Sequence, residues 1–421
     1  MGPTNLLTRR RLVHEQEVRE PTLLALALTV TIATGLLGAA LAAIAFLPAY
    51  GHIWWTFTAA AVILAWLVVG LLRKRRPDST IPPTGRQRWF RRIVGSTRIV
   101  LIGALTCWLG LIVWSATAPG GPDPPAKTGQ EVIRVVTWNI HCGQDEGGPL
   151  QQFDWPARKH ALGAAVDQVQ PDILCVQEAR PGQVAFLEET LPGHRRVGVG
   201  RDDGKSGGEH CAVYFSRQRF EELASNTFWL EDPTDQPRAG SAVLLGLDVK
   251  RICTWVRLRD RVSGRTIRLY NTHLYLTESP RLTAAKLILA HIAAGDSADA
   301  VVLTADFNST PDSPSRRLFS EAGLTDGAKR AGKPAGKPTF HYCYGIGLWC
   351  IDGILVDSHW QVHNHIVLDV KPLNTYPSDH FGLMGDLKLP ARTGTPGSTE
   401  PEREDDNSQL FKGKSVGAWI R

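Results

Sequence analysis

Four side chains that a hydrophobic core would not select follow apolar runs: Asn139 after 132–136, Glu178 after 172–176, and Asp306 and Asn308 after 301–303. Strands of one sheet bring such ends to a common edge, and Asp306 and Asn308, two apart, share a face if the strand continues that far. Carboxylates crowded at one edge disfavour each other's ionisation, and a hard divalent cation, magnesium or manganese, is the usual remedy. Asn271-Thr272-His273, Ile351-Asp352-Gly353 and Ser378-Asp379-His380 bring further acids and two imidazoles. An imidazole can take a proton from water or give one to a leaving oxygen near neutral pH, and a carboxylate on its other nitrogen fixes the tautomer. Asp352 and Glu209 are the candidates for that orienting role.

Seven short motifs occur in order: Thr-Trp-Asn-Ile at 137–140, Pro-Asp-Ile-Leu-Cys-Val-Gln-Glu at 171–178, Gly-Gly-Glu-His at 207–210, Asn-Thr-His-Leu at 271–274, Ala-Asp-Phe-Asn-Ser at 305–309, Ile-Asp-Gly-Ile at 351–354 and Ser-Asp-His at 378–380. Each is weak alone, but together they make residues 132–388 resemble the endonuclease/exonuclease/phosphatase superfamily. The resemblance implies an α/β fold, a four-layer α/β/β/α sandwich with its active site at one edge, and divalent-metal-dependent phosphoester hydrolysis. It also implies roles. Glu178 is the expected principal metal ligand, helped by Asn139 and Asp379. His380, oriented by Asp352, resembles the base that activates water. Asp306 and Asn308 resemble the residues that hold the nucleophile and a phosphate oxygen. His273, paired with Glu209, would stabilise phosphoryl oxygens or protonate the leaving group, and Arg251 would contact phosphate. His273 has no counterpart in the apurinic-site branch, so similarity is greater to the deoxyribonuclease, sphingomyelinase and phosphatase branches.

The elements that must position these groups lie in 131–389, where short Val, Ile and Leu runs alternate with helix-like segments such as 157–169 and 280–294, the pattern of an α/β domain. Residues 119–130, rich in Pro and Gly, read as a linker, and 390–421 as a disordered tail. Upstream, apolar stretches at about 22–49, 52–72 and 99–118 are each long enough to cross a hydrocarbon core, so three transmembrane helices are expected within a membrane anchor over 1–118. Arg9, Arg10 and Arg11 precede the first stretch, and Arg73 to Arg76 with Arg86, Arg88, Arg91, Arg92 and Arg98 lie between the second and third. By the positive-inside rule those segments are cytoplasmic, which leaves the catalytic domain outside the cytoplasm of a multi-pass cell-membrane protein.

Residues 1–118 hold 13 of the 47 Lys and Arg and 4 of the 41 Asp and Glu, so the remainder carries about −3 and has no net positive field to gather polyanions. Among the seven cysteines no pair has zinc-ligand spacing. Cys343 and Cys350 flank a turn-rich segment and either close a small disulfide loop or stay unpaired. Lys205 and Arg201, on the Gly-rich stretch 200–208, read as solvated loop residues. The expected partner is a phosphate-ester substrate, with a lipid-linked phosphate favoured by the anchor. Extracellular nucleic acid is the alternative, and an inactive binding or scaffold domain is a third reading.

Overall fold

The computed structural model describes residues 114, 117–142, 154–237, 243–244, 247–296, 298–334, 338–342 and 345–390. The chain divides into two compact units, Met1–Leu111 and Ile112–Arg421, and the described residues belong to the second. Among them no helix is long and apolar enough to cross a membrane. The apolar stretches 22–49, 52–72 and 99–118 lie outside the described residues except at 114, 117 and 118, and so do Cys343 and the tail from 391 onward.

In chain order the elements are β1 (Ile133–Asn139), α1 (Trp155–Val169), β2 (Ile173–Gln177), α2 (Pro181–Thr190), β3 (His194–Val197), β4 (Val213–Ser216), β5 (Phe220–Trp229), the short pair β6 (Val243–Leu244) and β7 (Leu247–Asp248), β8 (Ile252–Asp260), β9 (Thr266–His273), α3 (Glu278–Ala294), β10 (Ala300–Asp306), α4 (Pro314–Glu321), β11 (Thr325–Asp326), α5 (Gly327–Arg330), β12 (Asp352–Val356), β13 (Gln361–Leu368) and β14 (Gly382–Lys388). One six-stranded sheet has the order β13-β14-β1-β2-β4-β3 and the other β11-β12-β10-β9-β8-β5. Each contains one parallel pair, β1 with β2 and β9 with β10. The chain crosses between the strands of these pairs through α1 and α3.

The two-residue period of the strands sorts their side chains into layers. Ile133 and Val135 of β1 pack with Ile267 and Leu269 of β9, Ala300 and Val302 of β10, and Ile354 and Val356 of β12, forming the core between the sheets. The alternate residues Val136 and Trp138 pack with Leu162, Ala165, Val166 and Val169 of α1 and Val184 and Leu187 of α2. On the far side, Val301, Leu303 and Ala305 pack with Ala284, Ala285, Ile288, Leu289 and Ile292 of α3 and Phe319 of α4. The order is therefore helix, sheet, sheet, helix. Helix α1 begins with Pro156 in its first turn, and its apolar residues recur at helical spacing. It ends where Gln170 turns left-handed, at φ 51°, and its N–H returns to the Val166 carbonyl.

The same alternation aims the chemistry. Asn139, Gln177, His273, Asp306 and Asp352 continue the inward-facing sets of β1, β2, β9, β10 and β12, beyond the point where apolar residues fill the core. Registers Asn139 with Gln177, Asp306 with His273 and Asp306 with Asp352 put all five at one mouth between the sheets.

Candidate active site

A polar clamp joins the sheets beneath this mouth. The Gln177 amide donates to Thr137 Oγ1 at 2.9 Å and to Asn271 Oδ1 at 2.6 Å. The Asn271 amide in turn donates to the carbonyls of Val176 at 2.9 Å and Ala212 at 3.0 Å. The amide donors of both residues are spent on partners in this clamp, and that holds the strand ends in register.

Loops complete the mouth. Arg158 of α1, fully buried, donates to the carbonyls of Ile140 at 3.0 Å, His141 at 3.1 Å and Pro377 at 2.5 Å, and so ties the 140–141 turn to the segment carrying Asp379 and His380. Trp138 Nε1 donates to the His380 carbonyl at 2.8 Å, and the Ser378 hydroxyl to the Asn139 carbonyl at 2.6 Å. Three residues at the site are left-handed although none is glycine: His141 at φ 55°, Glu178 at 63° and Asn308 at 50°. Such conformations cost of order 1–3 kcal/mol each and persist where the surroundings over-determine them. The condition under which Asp306 and Asn308 would share a strand face is not met. The strand ends at Asp306, and Asn308 reaches the site through its left-handed turn, its N–H bonded to Asp306 Oδ1 at 2.9 Å.

Asn139 links the acids: its amide nitrogen donates to Glu178 Oε1 and to Asp306 Oδ2, each at 2.9 Å. Three oxygens expected to bind metal converge on His141. Asn139 Oδ1 accepts its backbone N–H at 3.0 Å, and Asp379 Oδ2 and Glu178 Oε2 lie 3.5 and 3.8 Å from its Nδ1. Ligand-capable atoms of Glu178, His273 and Asp306 fall within 4.8 Å of one another, as do those of Asp306, Asp352 and His380. This donor set, mostly hard carboxylate oxygen, fits a divalent cation of the magnesium or manganese type.

His380 Nδ1 meets Asp352 Oδ2 at 2.8 Å, as expected, and its Nε2 faces Asp306 Oδ2 at 3.9 Å. Burial works against the charged imidazole, but the Asp352 carboxylate and its hydrogen bond hold His380 well above the ordinary histidine range. Asp306 is pushed up to about 7 by burial and by the Asp352 charge. Glu178 would also rise by burial, yet its histidine neighbours and the Asn139 amide keep it low, and with His273 neutral that support falls to His141 and Asn139.

His273 is buried and held well below the ordinary histidine range by burial and by the Arg251 cation, so it is neutral. The Asn308 amide nitrogen donates to the Leu274 carbonyl and to His273 Nε2, each at 2.9 Å, which makes Nε2 an acceptor and leaves the proton on Nδ1. Nδ1 has no hydrogen-bond partner and lies 4.0 Å from Glu178 Oε1.

The expected pairing of His273 with Glu209 is corrected. The Glu209 carboxylate instead meets Arg201 Nη1 at 2.5 Å and lies 3.8 Å from Arg251 Nη1. A guanidinium competes better than a neutral imidazole for a carboxylate. Arg201, read as a solvated loop residue, has a side chain only 16% exposed and lines the site. With Arg251, Glu178, Glu209 and His273 it lines a small pocket beside the mouth. Arg251 Nε and Nη1 join His273 Nδ1 there as buried donors without a hydrogen bond, so the pocket presents donors suited to a tetrahedral oxyanion.

All ten expected residues thus surround this mouth or the pocket beside it. His141, Arg158 and Arg201 were not expected at the site. The spacing of His141 two residues after Asn139 was the one local signal. His341 is buried and stacks on Phe381 at 3.9 Å.

Residues 136–380 match the Endonuclease/Exonuclease/phosphatase family. Nocturnin of Drosophila melanogaster is 25% identical over 205 residues, which cover 43% of this chain and 29% of that protein. The chain therefore spans less than a third of the length of that relative. A solved endonuclease/exonuclease/phosphatase from Bacteroides vulgatus superimposes with a TM-score of 0.52 at 29% identity, covering 62% of this chain and 99% of that one. A mannosyl-6-phosphatase from Bacteroides thetaiotaomicron does so with a TM-score of 0.54 at 26% identity, covering 61% and 100%.

Proposed function

The chain belongs to the endonuclease/exonuclease/phosphatase family, and on that premise we propose that it is a divalent-metal-dependent hydrolase of phosphoester bonds. The observation that carries this reading is the meeting of Glu178, His273, Asp306, Asp352 and His380, drawn from three strands and two loops, at one mouth between the sheets. Their inward direction leaves no packing role for so many ionisable groups.

Glu178 would hold the cation, with Asn139 and Asp379 alongside. When bound, magnesium or manganese neutralises charge developing on phosphoryl oxygens and acidifies water. The remaining work falls to the side chains. Asp306 and His380 face each other at 3.9 Å, and this pair accepts the proton of the attacking water while Asp352 holds the His380 ring. Asn308 fixes the His273 tautomer, and the Nδ1–H of His273 together with Arg251 and Arg201 binds the phosphoryl oxygens in the adjoining pocket.

Two features bear on the substrate. The pocket turns the buried donors of Arg251 and His273 toward one anionic group, and a structural relative at 26% identity is a mannosyl-6-phosphatase, which favours a terminal phosphate over an internal diester. The three apolar stretches and their flanking arginines support a membrane anchor with this domain outside the cytoplasm, where a lipid-linked phosphate is held at high effective concentration.

The test is hydrolysis by the purified full chain of a sugar phosphate, bis-p-nitrophenyl phosphate, a polyprenyl pyrophosphate and plasmid DNA, with magnesium, manganese or EDTA. Turnover should need the metal and vanish in Glu178→Ala and His380→Ala with secondary structure retained. Cleavage of DNA alone would replace the phosphatase reading by a nuclease one, and rates untouched by both substitutions would remove the mechanism.

A further inference from the structure

Among the described residues six large apolar side chains are exposed, and three of them, Ile346, Leu348 and Trp349, lie within four positions of each other. Leu373, at 70% the most exposed of the six, stands two residues after Lys371 and three before Tyr376. Gly345, at φ 73°, lies so close to the Tyr376 hydroxyl that a Cβ at 345 would overlap it. Lys371 Nζ stands 5.2 Å from the centre of the Tyr376 ring. The rim formed in this way runs between two landmarks. At one end Lys371 Nζ donates to the carbonyl of Ala118 at 3.0 Å, and Ala118 is the last residue of the apolar stretch 99–118. At the other, Trp349 stacks on Phe340 at 5.5 Å, and the Phe340 ring meets the His380 ring edge-on at 5.0 Å.

We infer that this rim seats on the surface of the bilayer that the stretch 99–118 enters, so that the catalytic mouth opens onto lipid headgroups. The inference rests on the membrane-anchor reading above. A span ending at Ala118 brings the membrane surface to Lys371, and the neighbouring side chains suit that boundary. Isoleucine and leucine gain from leaving water, an indole prefers the interface, and a lysine stem can lie along apolar surface with its ammonium among anionic headgroups. The substrate phosphate then belongs to a lipid headgroup rather than to a solute. The opposite end of the molecule supplies an internal control. Val262 is 51% exposed but sits in the turn between β8 and β9, and the eight residues of β9 separate that turn from His273, about 25 Å.

The test places p-benzoylphenylalanine at Leu348, Leu373 or Val262 in the full chain, which is reconstituted in phosphatidylcholine/phosphatidylglycerol vesicles with radiolabelled lipid and illuminated. Hydrolysis of bis-p-nitrophenyl phosphate identifies the variants that fold, and two rim positions guard against loss of one. Lipid adducts at 348 and 373 several-fold above those at 262 are expected. Equal labelling at all three positions in a chain that floats with the vesicles would overturn the rim contact and leave the anchor standing. A chain that does not float overturns the anchor and the inference together, while hydrolysis of the soluble ester reports separately on the phosphoesterase reading.

Discussion

Asp352→Asn is the sharpest probe of the proton-transfer geometry, because it exchanges one carboxylate oxygen for an NH₂ without removing volume. Asp352 Oδ2 accepts from His380 Nδ1 at 2.8 Å with both side chains buried, so the lone pair of the neutral ring is directed from Nε2 toward Asp306, 3.9 Å away. An asparagine that presents its NH₂ to Nδ1 reverses the tautomer and puts a hydrogen where the water's proton must arrive. General acid–base transfer contributes about 10²- to 10⁴-fold, so kcat should fall by that factor, equivalent to about 3–5 kcal/mol at 1.36 kcal/mol per decade. The pH profile should move as well. The Asp352 charge raises both His380 and Asp306, so its removal lowers both, and the acidic limb of kcat/KM shifts to lower pH. The assay is steady-state hydrolysis of bis-p-nitrophenyl phosphate from pH 5 to 9, at saturating magnesium, alongside circular dichroism. A variant with kcat within about threefold of the parent and an unmoved acidic limb would show that the Asp352–His380 contact is structural, since the threshold lies far below the 10²-fold minimum for acid–base transfer.

Arg251→Met should raise KM more than it lowers kcat, with kcat/KM falling about 10- to 100-fold for loss of a charge-assisted hydrogen bond of about 1.5–3 kcal/mol to the phosphoryl group; a change below twofold would remove Arg251 from substrate binding. Arg134 grips Asp386 through Nε and Nη2 at 2.8 and 3.0 Å, and both residues are buried, so Arg134→Met strands a carboxylate in the core. A loss of about 3–5 kcal/mol is expected in urea unfolding, read as a lower midpoint at unchanged slope. His341 is lowered by burial to about 3, below its unfolded value of about 6.5. The unfolded chain thus binds the extra proton first as pH falls, and the contribution of His341, intact above about 6.5, is lost toward pH 3 at about 1.4 kcal/mol per unit. His341→Phe should be less stable at neutral pH, where it loses the acceptor for the Gly345 N–H, yet show a flatter acid limb in thermal melts; parallel limbs would refute this.

The metal acids and imidazoles were legible from the chain because strand alternation is local. Once 133–139, 266–273, 300–306 and 352–356 are strands with apolar residues facing the second sheet, residues two apart must follow them inward, and Asn139, His273, Asp306 and Asp352 have no other face to occupy. The helices at 155–169 and 278–294 follow from apolar spacing in the same way. Partner choice is not local. Glu209 could orient an imidazole in principle, but the loop carrying Arg201 folds beside it and the guanidinium takes the carboxylate, leaving His273 to be oriented by Asn308. Asn308 and Glu178 lie one left-handed turn beyond their strands, and His141 enters because α1 offers Arg158 to pin its carbonyl. Residue type and period therefore determined which side chains face the mouth. Only the packing of two sheets and their loops decided which of them touch, because a hydrogen bond or ion pair is settled by competition among every group within about 4 Å, and those neighbours come from all parts of the chain.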